Sequence, residues 1–340
     1  MSQSIKTALV GFGKAGEFLH APFIHTNPSF ELAVILERTP KHAATAYPDA
    51  RIVRTYDEIL TDTSIELIVL VTPNQTHAMM AEQALLAGKH VVVDKPFTVY
   101  AADAKRLQEV SGQTGKDIFV YQNRRWDGDF LTVKQLLQEG ILGEINSIES
   151  RFDRYRPEPR TTYWKESDVP GNGLWYDLGP HLMDQVFQLF GQPLQYKADI
   201  KKQRAGAVGI DYFDVAFIYE KLIYTIHAGM LEQETTPRWL IKGSKGSYVK
   251  YGVDSQEARL NAEEQPIGFE WGKEDPVDYG SITFTDGSTK VYPTINGDYR
   301  KFYAGVYEAI RNQQPFPITL NDAVELVGWL ERLAKFSISK

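Results

Sequence analysis

Five short runs of apolar, largely β-branched residues, separated by helical patterns, constrain this chain more than any other feature. They occupy residues 7–10, 32–36, 67–71, 91–93 and 118–121. Unbroken apolar runs of this length suit strands covered on both faces. Between them, residues 57–60 follow Thr55 as a helical start, with Glu58 three positions beyond the cap. Residues 76–87 are rich in Ala, Met and Leu, and Gly88 closes them as a helix C-cap. Strand and helix in alternation imply parallel pairing through crossover helices, and so an open α/β sheet.

Past residue 123 the pattern changes. Helical patterns over residues 130–137 and 178–190 stop at Gly140 and Gly191. Alternating strands follow over residues 212–219, 222–228, 239–242, 248–251 and 282–284, with Asp286-Gly287 as a hairpin turn. Helices over residues 299–312 and 320–336 close the chain. One wet face per strand suits a large, open, mostly antiparallel sheet in an α+β domain. At roughly 100–200 residues per domain, the 340 residues divide into domains at 1–123 and 124–340.

Composition narrows the function. A net charge of −7 argues against a nucleic-acid surface, which needs clustered Lys and Arg. With 0 cysteines, disulfides, thiolate metal sites and cysteine nucleophiles are excluded. Met1 to Lys6 lead directly into the first apolar run, without a signal segment, and no apolar stretch is long enough to span a membrane. The expected location is the cytoplasm.

Gly11-Phe12-Gly13-Lys14-Ala15-Gly16 follows the first strand and opens a helix. In a Rossmann unit one such glycine allows a tight turn, one lets backbone approach a pyrophosphate, and one lets helix pack on strand. The helix N-terminus then offers free N–H groups to the phosphates. Glu37 ends the second strand, where an acid commonly binds the ribose hydroxyls of NAD and repels the 2′-phosphate of NADP. Arg38 beside it has the opposite tendency, so the expected cofactor is NAD or NADP, with NAD favoured. Thr72, Asn74 and His77 follow the next strand, where ligands of parallel sheets bind; Asn74 also suits helix capping.

The turn Asp94-Lys95-Pro96 ends a further strand at the same sheet edge. Lys95 there borders the nicotinamide and is a candidate donor to a substrate oxygen. Asp177, His181 and Asp184 follow at spacings of four and three, which share a helix face. A histidine flanked by carboxylates suits general base chemistry near neutral pH. The same trio also fits helix N-terminal charges, a satisfied core histidine or metal ligands. Hydride transfer needs no metal, and none is expected.

Taken together, the glycine fingerprint, Asp94-Lys95-Pro96-Phe97 and Asp177-x-x-x-His181 resemble the glucose–fructose oxidoreductase/inositol dehydrogenase/MocA family over nearly the whole chain. The family's usual Glu-Lys-Pro is Asp-Lys-Pro here. Gln122 to Asp127, Asp129 to Thr132, Arg154 to Pro157 and Gly246 to Gly252 resemble the branch that holds scyllo-inositol 2-dehydrogenases. The resemblance implies NAD(P)-dependent oxidation of a secondary alcohol of a polyol or sugar, inositol-like first. It implies Lys95 polarising the reacting oxygen, His181 as acid/base and Asp177 positioning substrate or imidazole. Asn123, Arg124 and Arg125 would line the cleft, Asn123 on the cofactor side, while Tyr155 and Trp164 would meet the substrate. NADP-using relatives often carry a small hydroxyl residue where Glu37 stands, so their preference does not transfer directly. A homodimer or homotetramer through the open sheet is implied as well. Two other classes fit the resemblance: an NAD-dependent glycoside hydrolase and a non-catalytic nucleotide-binding regulator.

Overall fold

The computed structural model describes residues 4–39, 42–160 and 163–338. The chain divides into two units. One runs to Asn123 and takes in Gln256–Trp271 and Tyr299–Val327; the other comprises Arg124–Ser255 and Gly272–Asp298 and continues from Gly328.

The first unit holds six strands: β1 Ile5–Val10, β2 Phe30–Leu36, β3 Arg51–Val53, β4 Leu67–Leu70, β5 His90–Val93 and β6 Ile118–Val120. Their order is β3-β2-β1-β4-β5-β6 and every pairing is parallel. The sheet therefore reverses direction of growth between β1 and β4, the point where such sheets open a crevice for ligands. The continuous apolar runs are explained by position: all four residues of β4 are fully buried, and Ile68 and Leu70 share one core with helix residues Ala81, Ala84, Leu85, Ala104, Leu107 and Val110. Sequence periodicity overlooked β3, three residues with an exposed first position, and the helix Ala101–Thr114.

The second unit holds eight strands: β7 Ile145–Arg151, β8 Gln195–Lys201, β9 Tyr212–Ile218, β10 Ile223–Gly229, β11 Trp239–Gly243, β12 Gly246–Lys250, β13 Gly280–Phe284 and β14 Thr289–Tyr292. The order is β14-β13-β12-β11-β7-β10-β9-β8. The sheet is mixed: β7 and β10 run parallel and the other pairs are antiparallel. Phe213, Val215, Phe217, Tyr224, Ile226 and Trp239 face inward and are fully buried, while Glu149, Arg151 and Asp214 belong to the opposite face. The helix Leu174–Phe190 covers the inner face, with Trp175 edge-on to Phe213 and Phe187 edge-on to Phe217.

That helix starts four residues before the sequence pattern places it. Gly179-Pro180 reads as a boundary, but Pro180 is the seventh residue of the helix, in its second turn, so the helix runs through it at the cost of one backbone hydrogen bond. The turn at Asp286-Gly287 joins β13 to β14 as expected, with Gly287 at φ +83°. Among the described residues no helix is long and apolar enough to cross a membrane.

Candidate active site

In the first unit the three fingerprint glycines have three different surroundings. Gly11 adopts φ +103°, and a Cβ there would lie 2.4 Å from the Val71 carbonyl oxygen. A Cβ on Gly16 would lie 2.0 Å from the Gly11 carbonyl oxygen. Nothing lies within 4 Å of the position a Cβ on Gly13 would occupy. The outer two glycines thus permit the turn and the helix packing, and the middle one leaves bare backbone facing open space. This is the cradle a pyrophosphate requires. The helix that follows begins with a π turn, Gly16–His20, and continues through Ala21–His25.

Glu37 extends beyond β2 and is only 6% exposed. Its Oε1 is buried without a hydrogen-bond partner among the described residues. Its Oε2 lies 3.7 Å from Arg54 Nη1, which also donates to the Glu37 carbonyl oxygen. A buried acceptor left open at the end of β2 fits a ribose hydroxyl. Arg38 is exposed. Sequence reading missed Arg54 because β3, which delivers it, carries too short a signal.

The end of β4 and the Lys95-Pro96 turn are tied together by His77. Its ring is buried, with Nε2 2.9 Å from the Thr72 carbonyl oxygen and Nδ1 2.9 Å from that of Pro96. Burial holds its pKa below the usual histidine value, despite Asp94 nearby. A neutral ring donates to one of these carbonyls and packs against the other, so His77 acts on the site through backbone. Thr72 Oγ1 meets Thr76 Oγ1 at 2.7 Å, and Asn74 is buried. Lys95 and Asp94 are half-buried, and the Lys95-Pro96 peptide is cis. Asn123 is buried, and its Nδ2 has no hydrogen-bond partner among the described residues.

In the second unit Asp177, His181 and Asp184 all lie on the helix Leu174–Phe190. The two carboxylates have different cations. Asp184 receives Arg125 through two bonds, Nε to Oδ2 at 2.8 Å and Nη2 to Oδ1 at 2.7 Å, and both residues are buried. Asp177 Oδ1 receives Lys165 Nζ at 2.9 Å. His181 lies between them in sequence and is 4% exposed. Arg124 pairs with Asp127 at 3.1 Å and stacks over Phe152 at 4.8 Å. Arg124 and Arg125 are thus engaged with carboxylates of their own unit. Tyr155 and Trp164 are exposed, and Lys165 Nζ lies 5.7 Å from the Trp164 ring centre.

The loop that carries Trp164 and Lys165 is anchored from below. Arg204, buried, bonds Glu166 and Asp211 at 2.9 Å each, and Asn172 Nδ2 donates to the Trp164 carbonyl oxygen at 2.6 Å. Lys165 escaped the sequence reading because its partner is twelve residues away and no motif joins them. Among the described residues, no group of three or more His, Cys, Asp or Glu could hold a metal ion.

Comparison with known proteins places this geometry. Residues 5–122 match the description "Oxidoreductase family, NAD-binding Rossmann fold", and residues 134–337 match "Oxidoreductase family, C-terminal alpha/beta domain". The chain belongs to the Gfo/Idh/MocA oxidoreductase family. It is 40% identical over 334 residues to an uncharacterized oxidoreductase of Escherichia coli, YdgJ, covering 97% of this chain and 96% of that one. It is 34% identical over 340 residues to the scyllo-inositol 2-dehydrogenase (NADP(+)) IolW of Bacillus subtilis, covering 99% and 95%. The solved structure of yvaA from Bacillus subtilis is similar with a TM-score of 0.94 at 34% identity, covering 99% of this chain and 97% of that one. The family assignment makes this chain an oxidoreductase with a dinucleotide-binding domain.

Proposed function

We propose that the protein is an NAD-preferring dehydrogenase that oxidises a secondary alcohol of a cyclic polyol, with an inositol as first candidate. The observation that carries the cofactor part is the buried, unpartnered Glu37 Oε1. An acceptor held there favours two ribose hydroxyls over a phosphate, because a 2′-phosphate would meet a carboxylate in a poorly solvated place. Arg54 moderates that repulsion on its solvent side and does not reach Oε1 with a hydrogen bond. The substrate part draws on the likeness to a scyllo-inositol 2-dehydrogenase and on the exposed Tyr155 and Trp164, which suit the apolar face of a sugar ring.

The fingerprint backbone and Glu37 would hold the nucleotide, with Thr72, Asn74, Asp94 and Asn123 shaping the nicotinamide end. Bound nicotinamide supplies the hydride acceptor. His181 takes the hydroxyl proton, while Lys95 donates a hydrogen bond to the same oxygen as negative charge develops on it. Asp177, shared with Lys165, positions the substrate hydroxyls. Arg125 acts in this scheme through Asp184, by fixing the helix that bears His181.

Fluorescence titrations with NADH and NADPH test the cofactor assignment. The wild-type protein should bind NADH more tightly. Glu37→Ser should move the preference toward NADPH by about tenfold, the worth of one partly screened charge. Tighter NADPH binding by the wild type would show that the neighbouring arginines outweigh Glu37.

A further inference from the structure

His20 has no part in the scheme above, yet it is fully buried against the Asp94–Lys95–Pro96 turn. The π turn Gly16–His20 ends on it, and π turns within helices recur at functional sites. Its Nδ1 lies 2.8 Å from the Tyr303 hydroxyl. Tyr303 is equally buried, and burial with Asp94 nearby pushes its pKa well above the usual value, so the phenol keeps its proton. The other ring nitrogen, Nε2, is buried without a hydrogen-bond partner among the described residues. It lies 3.9 Å from Asp94 Oδ1.

The ring's proton arrangement follows from these neighbours. If Tyr303 donates to Nδ1, a neutral ring carries its hydrogen on Nε2, facing the carboxylate. The opposite tautomer would set a lone pair against that carboxylate. Asp94 Oδ1 accepts the Lys95 backbone N–H at 2.8 Å. Burial pushes the Asp94 carboxyl up, but His20, Lys95 and His77 together outweigh it and hold it below the usual carboxylate range.

We propose that His20 is a positioning residue that, oriented by Tyr303, holds Asp94 charged at the nicotinamide end of the cofactor site. The proposal rests on the dinucleotide reading above. Its consequence is selective: a fixed carboxylate there favours the cationic, oxidised nicotinamide over the neutral, reduced form. The groups facing Asp94 are His20 from the fingerprint helix, His77 from the helix His77–Leu86, Tyr303 from the helix Arg300–Asn312 and Lys95 from its own turn.

The test compares dissociation constants for NAD⁺ and NADH across the neutral pH range in the wild type, Asp94→Asn, His20→Gln and Tyr303→Phe. Asp94→Asn should weaken NAD⁺ about tenfold more than NADH at every pH. In His20→Gln the carboxyl loses the imidazole that faces it at 3.9 Å while burial remains, so its pKa rises. The same selective loss of NAD⁺ should therefore appear at the acidic end and fade as pH rises. Tyr303→Phe should show a smaller loss of the same kind. Equal losses for both nucleotides in Asp94→Asn overturn the proposal, even if His20→Gln does not fold. A His20→Gln protein that keeps the wild-type ratio at every pH overturns it too. Failure of the wild type to bind either nucleotide would instead bring down the dinucleotide reading, and the proposal with it.

Discussion

Replacing Lys95 with alanine should lower kcat by about 10²–10³-fold, the usual loss when a donor to a developing oxyanion is removed. NADH binding should change by no more than about threefold, because the nucleotide is assigned to the fingerprint turn after β1 and Glu37 after β2, while Lys95 follows β5. The reason is differential: a hydrogen bond to the reacting oxygen strengthens as charge develops, so its loss falls on the chemical step. Steady-state kinetics with the best substrate, paired with NADH titration, separates the two effects. Retention of more than about a tenth of wild-type kcat, a barrier change below about 1.4 kcal/mol, would sink the role given to Lys95.

The second large effect concerns stability. Asp184→Ala should destabilise the protein by about 3–5 kcal/mol, since it leaves the Arg125 guanidinium buried without its bidentate partner. The double variant Arg125→Met/Asp184→Leu should recover at least about half of that loss, because it removes both charges and keeps the volume filled. Denaturant unfolding measures both. An Asp184→Ala loss below about 1 kcal/mol would mean that solvent reaches the pair and that its burial has little energetic weight.

The Rossmann sheet was legible because its strands are buried on both faces and so written as unbroken apolar runs. Five of its six strands follow that rule. The sixth, β3, lies at the sheet edge with three residues and an exposed start, and leaves no comparable mark. In the second unit β9 and β10 declare themselves by strong alternation. By contrast β7, β8 and β14 mix charged and polar residues among their apolar ones, and their pairing partners decide them. The helix Leu174–Phe190 was misjudged at its start because a Gly-Pro pair ordinarily signals an end.

The site divides along the same line. Local placement was readable: the glycine turn after β1, the acid after β2, and Asp177 and His181 on one helix. Chemistry that depends on distant partners was hidden. Nothing in the sequence joins Tyr303 to His20, Arg125 to Asp184 or Arg54 to Glu37, since each pair forms only when separate elements fold together. His77 shows the opposite case, a residue marked by its place after β4 whose ring is buried between two backbone carbonyls.

Dehydrogenase activity is tested most directly by incubating the purified protein with NAD⁺ and a panel of inositols and related polyols while following nicotinamide absorbance. The expected result is reduction of NAD⁺ by at least one of these alcohols, faster than reduction of NADP⁺. No nicotinamide reduction with any polyol, alongside release of free sugar from a glycoside with no net change in nicotinamide absorbance, would contradict it and make the protein a hydrolase.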